Sequence, residues 1–215
     1  MIILISPEQT SETEIHTLHQ LFEAGLTHFH FRKPEASLEE HIAYLNQVDS
    51  QYYNRIMTHN FHKELCGQFD LKGIHLEEAK WRAQGENLQE YVSAFAKSNL
   101  GDSRPSGERS GKNKKIISSS YHEPEDLEAQ SVPFDYTILS PVFAAISKSE
   151  MQGRGFDVRS IDKFIVGMGG INAQTTPDAV QLGFKGVGAL GGVWNAPEPV
   201  VAFKEMKEAF DKAID

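Results

Sequence analysis

Residues 165–194 read IVGMGGINAQTTPDAVQLGFKGVGALGGVW. A short β-branched run opens the stretch, an amphipathic segment begins near Thr176, and a second apolar run starts at Gly186. Strand, helix and strand in that order make a crossover unit, and the helix returns the chain so that the two strands lie parallel. Working outward, the same alternation fills the sequence. Residues 2–6, 28–33, 55–59, 73–77, 115–121, 136–142, 165–170 and 186–194 read as strands. Residues 11–24 carry Ile15, Leu18, Leu21 and Phe22 at helical spacing and stop at Gly25, and Ser37 with Glu40 has capping-box spacing. Further helices are expected over 63–69, 88–97 and 124–130 and from near Val158, Thr176 and Glu198. About eight strand-helix units in 215 residues predict a single α/β domain over 1–215, a closed (β/α)8 barrel with some short helices. Residues 98–114, SNLGDSRPSGERSGKNK, are rich in Gly, Ser and charge and read as a flexible surface loop.

The chain has 40% hydrophobic and 24% charged residues, which excludes a disordered or fibrous chain. A formal net charge of -9 leaves no footprint for nucleic acid. No segment approaches the roughly 18 apolar residues of a membrane span, and the run Ile2-Ile3-Leu4-Ile5 lacks the features of a signal peptide. The one cysteine, Cys66, excludes an internal disulfide framework and a Cys-based zinc site. A cytoplasmic location is the expectation.

In a barrel of this kind the site lies at the C-terminal ends of the strands. Those ends read Arg32-Lys33, His59-Asn60, His75 with Glu77-Glu78, Ser120 with His122, Ser140, Ser147-Lys148, Gly169-Gly170 and Gly191-Gly192. The glycine segments at 167–172 and 186–192 let backbone N–H groups approach an anion, and the last two strand-helix loops are where this fold places phosphate. Tight packing is the other use of such glycines; two segments together favour phosphate. Gly186-x-Gly188-x-x-Gly191 matches a dinucleotide fingerprint in form only, because its glycines lie inside the last strand and one helix remains after them. Lys148 and Arg154 offer cations for a second anion. Nine histidines raise the question of metal, yet His59 with His62 and His28 with His30 find no further partner in the sequence that fixes a tetrahedral set, so no metal ligands are assigned. His122 has the natural pKa for proton transfer near neutrality.

These strand ends resemble, in order, those of the thiamine phosphate synthase and TenI family of TIM barrels. Phe31-Arg32 resembles the family's Gln-Leu-Arg-x-Lys strand, Gly73-Ile74-His75-Leu76 its Gly-Val-His-Leu, and Ser120-Tyr121-His122 its Ser-x-His. Residues 140–148 resemble Gly-Pro-Val-Phe-x-Thr-x-Thr-Lys, Gly169-Gly170-Ile171 its Gly-Gly-Ile, and 186–194 its last strand. The resemblance implies thiazole phosphate bound by Gly169, Gly170, Leu190 and Gly191, with Arg32, Ser120 and Lys148 toward a pyrophosphate, Ser147 as a further substrate- or phosphate-binding residue, and His122 and Lys148 as catalytic groups. It also implies a pyrimidine diphosphate co-substrate and Mg2+ if synthase activity is retained, and homodimer pairing.

The departures fall on the metal carboxylates. The family's Asn-Asp-Arg gives way to His59-Asn60-Phe61-His62, and its second aspartate aligns with Lys80, an ammonium where Mg2+ wants oxygen. Its strand-two lysine aligns with Pro34, leaving Lys33 as a neighbour able to serve, and its glutamine aligns with His30. Glu77 or Glu78 would have to rebuild a metal site. These losses favour the TenI branch, a thiazole tautomerase needing only proton transfer, over the synthase; a non-catalytic phosphate-binding regulatory barrel is the third expectation.

Overall fold

The computed structural model describes residues 1–97, 115–144 and 152–215; the loop expected at 98–114 and the site residues Ser147 and Lys148 lie outside the described residues. Eight parallel strands close in sequence order: β1 (Ile2–Ile5), β2 (Phe29–Phe31), β3 (Ile56–Thr58), β4 (Gly73–Leu76), β5 (Ile116–Tyr121), β6 (Tyr136–Leu139), β7 (Ile165–Met168) and β8 (Gly186–Ala189). Closure pairs Ile2 with Val187 and Ile3 with Gly188. The TIM barrel expected from the alternating pattern is therefore the fold.

The helices are α1 (Glu14–Glu23), α2 (Leu38–Leu45), α3 (His62–Gln68), α4 (Glu78–Gln84), α5 (Leu88–Lys97), α6 (Pro124–Ala129), α7 (Thr176–Gln181), α8 (Gly191–Trp194) and α9 (Pro199–Ile214). α2 opens with the expected capping box between Ser37 and Glu40. α1 buries Leu18, Leu21 and Phe22 against the sheet, each contributing about 1.5–3 kcal/mol by leaving water. Side chains alternate across each strand. In β2 the flanking Phe29 and Phe31 join the layer under the helices, and in β1 Ile3 and Ile5 join Met57, Tyr136, Ile138 and Val166 in the lumen.

Two expected elements differ. No helix forms over residues 152–164. There Phe156 and Val158 are both buried, two residues apart, and the Val158 N–H donates to the Leu182 carbonyl at 2.9 Å, which holds the segment extended against the end of α7. The last strand stops at Ala189 rather than 194, because Leu190 turns the backbone (φ -132, ψ -86) and the chain coils into α8. Among the described residues no helix is long and apolar enough to cross a membrane.

Candidate active site at the barrel mouth

Period-two alternation carries each inward position of the lumen to a polar residue at the rim: Ser118 to Ser120 on β5, His75 to Glu77 beyond β4, and His30 to Arg32 beyond β2. The Arg32 guanidinium is held between two carboxylates, Nε donating to Glu77 Oε1 at 2.7 Å and Nη1 to Glu8 Oε1 at 2.9 Å. Ser120 ends the inward row of β5, and its carbonyl accepts the Trp81 indole N–H at 2.9 Å. Lys33 does not reach the mouth. Its ammonium is buried, 2.8 Å from Glu14 Oε2 and 2.6 Å from the Pro7 carbonyl, so the role open to it as a stand-in for the lysine replaced by Pro34 is closed.

Between β3 and β4, Lys80 Nζ donates to the His59 carbonyl at 2.5 Å and lies 3.5 Å from Glu77 Oε2. The His59 ring at 3.5 Å and Arg32 at 2.7 Å, working against burial, hold the Glu77 carboxyl well below the usual carboxylate range. Glu78, one residue on, faces the other way. Its Oε2 pairs with His122 Nδ1 at 2.5 Å and accepts the His122 backbone N–H at 3.1 Å, while Oε1 accepts from Arg82. Burial raises the Glu78 carboxyl, and the hydrogen bonds from His122 and Arg82 more than offset it, so the group is ionised at neutral pH. A carboxylate on Nδ1 fixes the imidazole tautomer and leaves Nε2 for a ligand. Sequence reading singled out His122 without this partner, 44 residues away. Arg154 does not stand free as an anion clamp: it forks onto Glu123 at 2.7 and 2.9 Å and donates to the His122 carbonyl.

The opposite side of the mouth is glycine. Gly169 and Gly170 take φ values of 102° and 65°, a region that disfavours any residue with a Cβ. This turn carries the chain off β7 so that the Phe143 N–H donates to the Gly169 carbonyl. Part of the glycine requirement is packing, since a Cβ on Gly170 would lie 2.4 Å from the Ala144 carbonyl oxygen and one on Gly192 2.0 Å from the Ile171 carbonyl oxygen. The amides of Gly170 and Ile171 donate to no group among the described residues. Gly192→Ala is expected to displace the Ile171 carbonyl and cost about 1–3 kcal/mol, read as a lower urea midpoint with an unchanged slope.

A third group was missed as a group. His30, His59 and His75 are all buried in the lumen, each with a ring nitrogen within 4.8 Å of those of the other two. Burial pushes His59 down to about 3 and holds His30 and His75 well below the usual imidazole value. His62 seals the loops beneath, with Nε2 3.0 and 3.2 Å from the carbonyls of His59 and His75. Cys66 lies in α3 as expected, its thiol pushed up to about 11 by burial.

No family model matches the chain. A "Thiamine-phosphate synthase" of Geobacillus thermodenitrificans is 27% identical over 226 residues, 99% of this chain and 92% of that protein. A second, of Chlamydia caviae, is 31% identical over 107 residues, 46% of this chain and 50% of that protein; the chain spans half the length of this relative. Among solved structures, the thiamine phosphate pyrophosphorylase of Pyrococcus furiosus superposes with a TM-score of 0.73 at 17% identity, over 100% of this chain and 96% of that one. Along nearly its full length the chain is therefore similar to thiamine-phosphate synthases, and its barrel superposes on that of a thiamine phosphate pyrophosphorylase.

Proposed function

We propose that the chain is an enzyme of thiamine biosynthesis that binds a phosphorylated thiazole at the barrel mouth, its phosphate on the backbone around Gly169, Gly170, Leu190 and Gly191. The unengaged amides of half-buried Gly170 and buried Ile171 are the observation that carries the site; donors of this kind want an acceptor. For the reaction, the full-length relatives are named synthases and support transfer. The thiazole nitrogen bonds to the methylene carbon of a hydroxymethylpyrimidine diphosphate as that carbon's bond to oxygen breaks and pyrophosphate leaves. Arg32, Ser120, Ser147 and Lys148 are the groups proposed for the pyrophosphate. The preference for an isomerase drawn from the missing aspartates finds no support in those names.

Mg2+ goes with the synthase reading, but the carboxylates at the rim do not fit it. Glu77 is already paired with Arg32 and Lys80, and Glu78 with Arg82 and His122. Two carboxylates each neutralised by cations make a poor site for a hard dication, and no step here runs through one. A coupled assay with both substrates tests the transfer: thiamine phosphate is expected, and its absence at saturation rejects the reading.

One observation favours a second reaction, tautomerisation of a carboxythiazole phosphate: the Glu78–His122 pair is a general acid/base arrangement at the rim. If proton transfer is the chemistry, His122→Gln lowers turnover roughly 10²- to 10⁴-fold and leaves thiazole phosphate affinity unchanged. Turnover that survives the substitution removes His122 from the mechanism.

A further inference from the structure

We propose that the barrel lumen binds a divalent transition-metal ion of the zinc class on His30, His59 and His75. Three strands converge on the place. His30 is the inward residue of β2, His75 the inward residue of β4, and His59 follows β3 with its backbone N–H on the Phe31 carbonyl. The ring centroids are 5.1, 5.1 and 4.3 Å apart.

Each ring has one nitrogen turned to the cluster and the other anchored outside it. His30 Nε2 pairs with the Tyr136 hydroxyl at 2.6 Å, His75 Nδ1 with Ser118 Oγ at 2.9 Å, and His59 Nδ1 faces Glu77 Oε1 at 3.5 Å. Metal-bound histidines are oriented in this way, by an oxygen acceptor on the ring nitrogen that does not touch the ion. Inside the cluster His30 Nδ1 and His59 Nε2 are 2.9 Å apart. Two nitrogens bound tetrahedrally at about 2.0–2.1 Å sit about 3.3 Å apart, so the rings part by only a few tenths of an ångström. The third nitrogen is His75 Nε2.

Burial keeps these imidazoles neutral, the state a metal requires. Three imidazoles select Zn2+, Co2+ or Cu2+ over Mg2+, so this centre is chemically distinct from anything the rim carboxylates would hold. Binding needs one proton moved. In the hydrogen-bonded chain running Tyr136 to His30 to His59 to Glu77, His30 carries its proton on Nδ1. With the ion bound that proton sits on Nε2 and donates to the Tyr136 oxygen, and the Tyr136 hydroxyl turns toward Ser118. The net charge of the protein groups is unchanged.

The test uses the full chain, stripped of metal and refolded with CoCl2 or ZnCl2 so that entry does not limit loading. One equivalent of Co2+ is expected to bind with the intense visible absorption of a four-coordinate ion. His75→Gln should weaken binding by at least about 100-fold, and Tyr136→Phe or Ser118→Ala by roughly 10- to 100-fold. His16→Gln, at an exposed position, should bind as the parent does. In the unsubstituted protein labelled with 15N, Zn2+ should shift Nδ1 of His30 and Nε2 of His59, while Nδ1 of His59 keeps its proton and Nε2 of His30 gains one. No saturable Co2+ absorption, a spectrum that survives His75→Gln, or imidazole resonances unmoved by Zn2+ would overturn the proposal and leave the cluster as a hydrogen-bonded chain only.

Discussion

Metal-free protein moved from about pH 7.5 to about pH 5 should lose roughly 4 kcal/mol of stability through His59 and His62 alone, and His30 and His75 act in the same direction. His30, His59 and His75 are buried and neutral, with His59 held to about 3 and the others well below their ordinary value. In the unfolded chain each titrates near 6.5. Below that pH the unfolded state binds one more proton per ring than the folded state, so stability falls as pH falls. For His59 the loss is about 1.4 kcal/mol per pH unit in this window, or about 2 kcal/mol at pH 5. His62, held to about 4, adds about 2 kcal/mol more. Glu77 contributes in a lower window: its folded value is depressed, so its stabilisation is full above the ordinary carboxylate range and fades only below it. Set against a total of about 5–15 kcal/mol for a domain, the histidine term is decisive. Urea midpoints at the two pH values measure it. Equal midpoints would mean that the rings accept protons in the folded barrel.

Removing Glu14 should cost about 3–5 kcal/mol. Glu14 and Lys33 form an ion pair of 2.8 Å with side chains 0% and 3% exposed, and Glu14 Oε1 also accepts the Tyr44 hydroxyl at 2.8 Å. Burial lowers the Lys33 pKa and the Glu14 carboxylate offsets this only in part. In Glu14→Ala the ammonium keeps the Pro7 carbonyl but loses its counter-charge in a site water does not reach. The double variant Glu14→Leu with Lys33→Met removes both charges and should recover most of the loss, short of the roughly 1–3 kcal/mol for the orphaned Tyr44 hydroxyl. A single variant within about 1 kcal/mol of the parent would show the pair to be solvated.

What the sequence makes legible is what local pattern determines. Leu88–Lys97 is helical at the residues its periodicity marks, and Phe29-His30-Phe31 alternates as a strand should. The failures depend on distant atoms. The strand expected to run to 194 ends at Leu190, where the backbone turns into α8 and Gly192 packs on the Ile171 carbonyl, and the helix expected near Val158 is pre-empted by a hydrogen bond to Leu182.

The same division holds at the site. Arg32 and His122 stand out as reactive types at strand ends, while Glu8 and Glu78, which orient them, lie 24 and 44 residues away. His30 and His75 share the inward parity of their strands, a signal present in the sequence. His59 lies past the end of β3, and which nitrogens meet is set by strand register, Phe31 on Thr58 and Thr58 on Ile74, which no pattern of spacing reveals.

The most direct measure of the account is a calorimetric titration of the protein with thiazole phosphate and, in parallel, with the same thiazole alcohol lacking the phosphate. Two charge-assisted hydrogen bonds from the β7 loop amides, at about 1.5–3 kcal/mol each, predict that the phosphate ester binds at least about 100-fold more tightly. Equal affinity for the two compounds, or no binding of either, would contradict a phosphate site at the glycine rim.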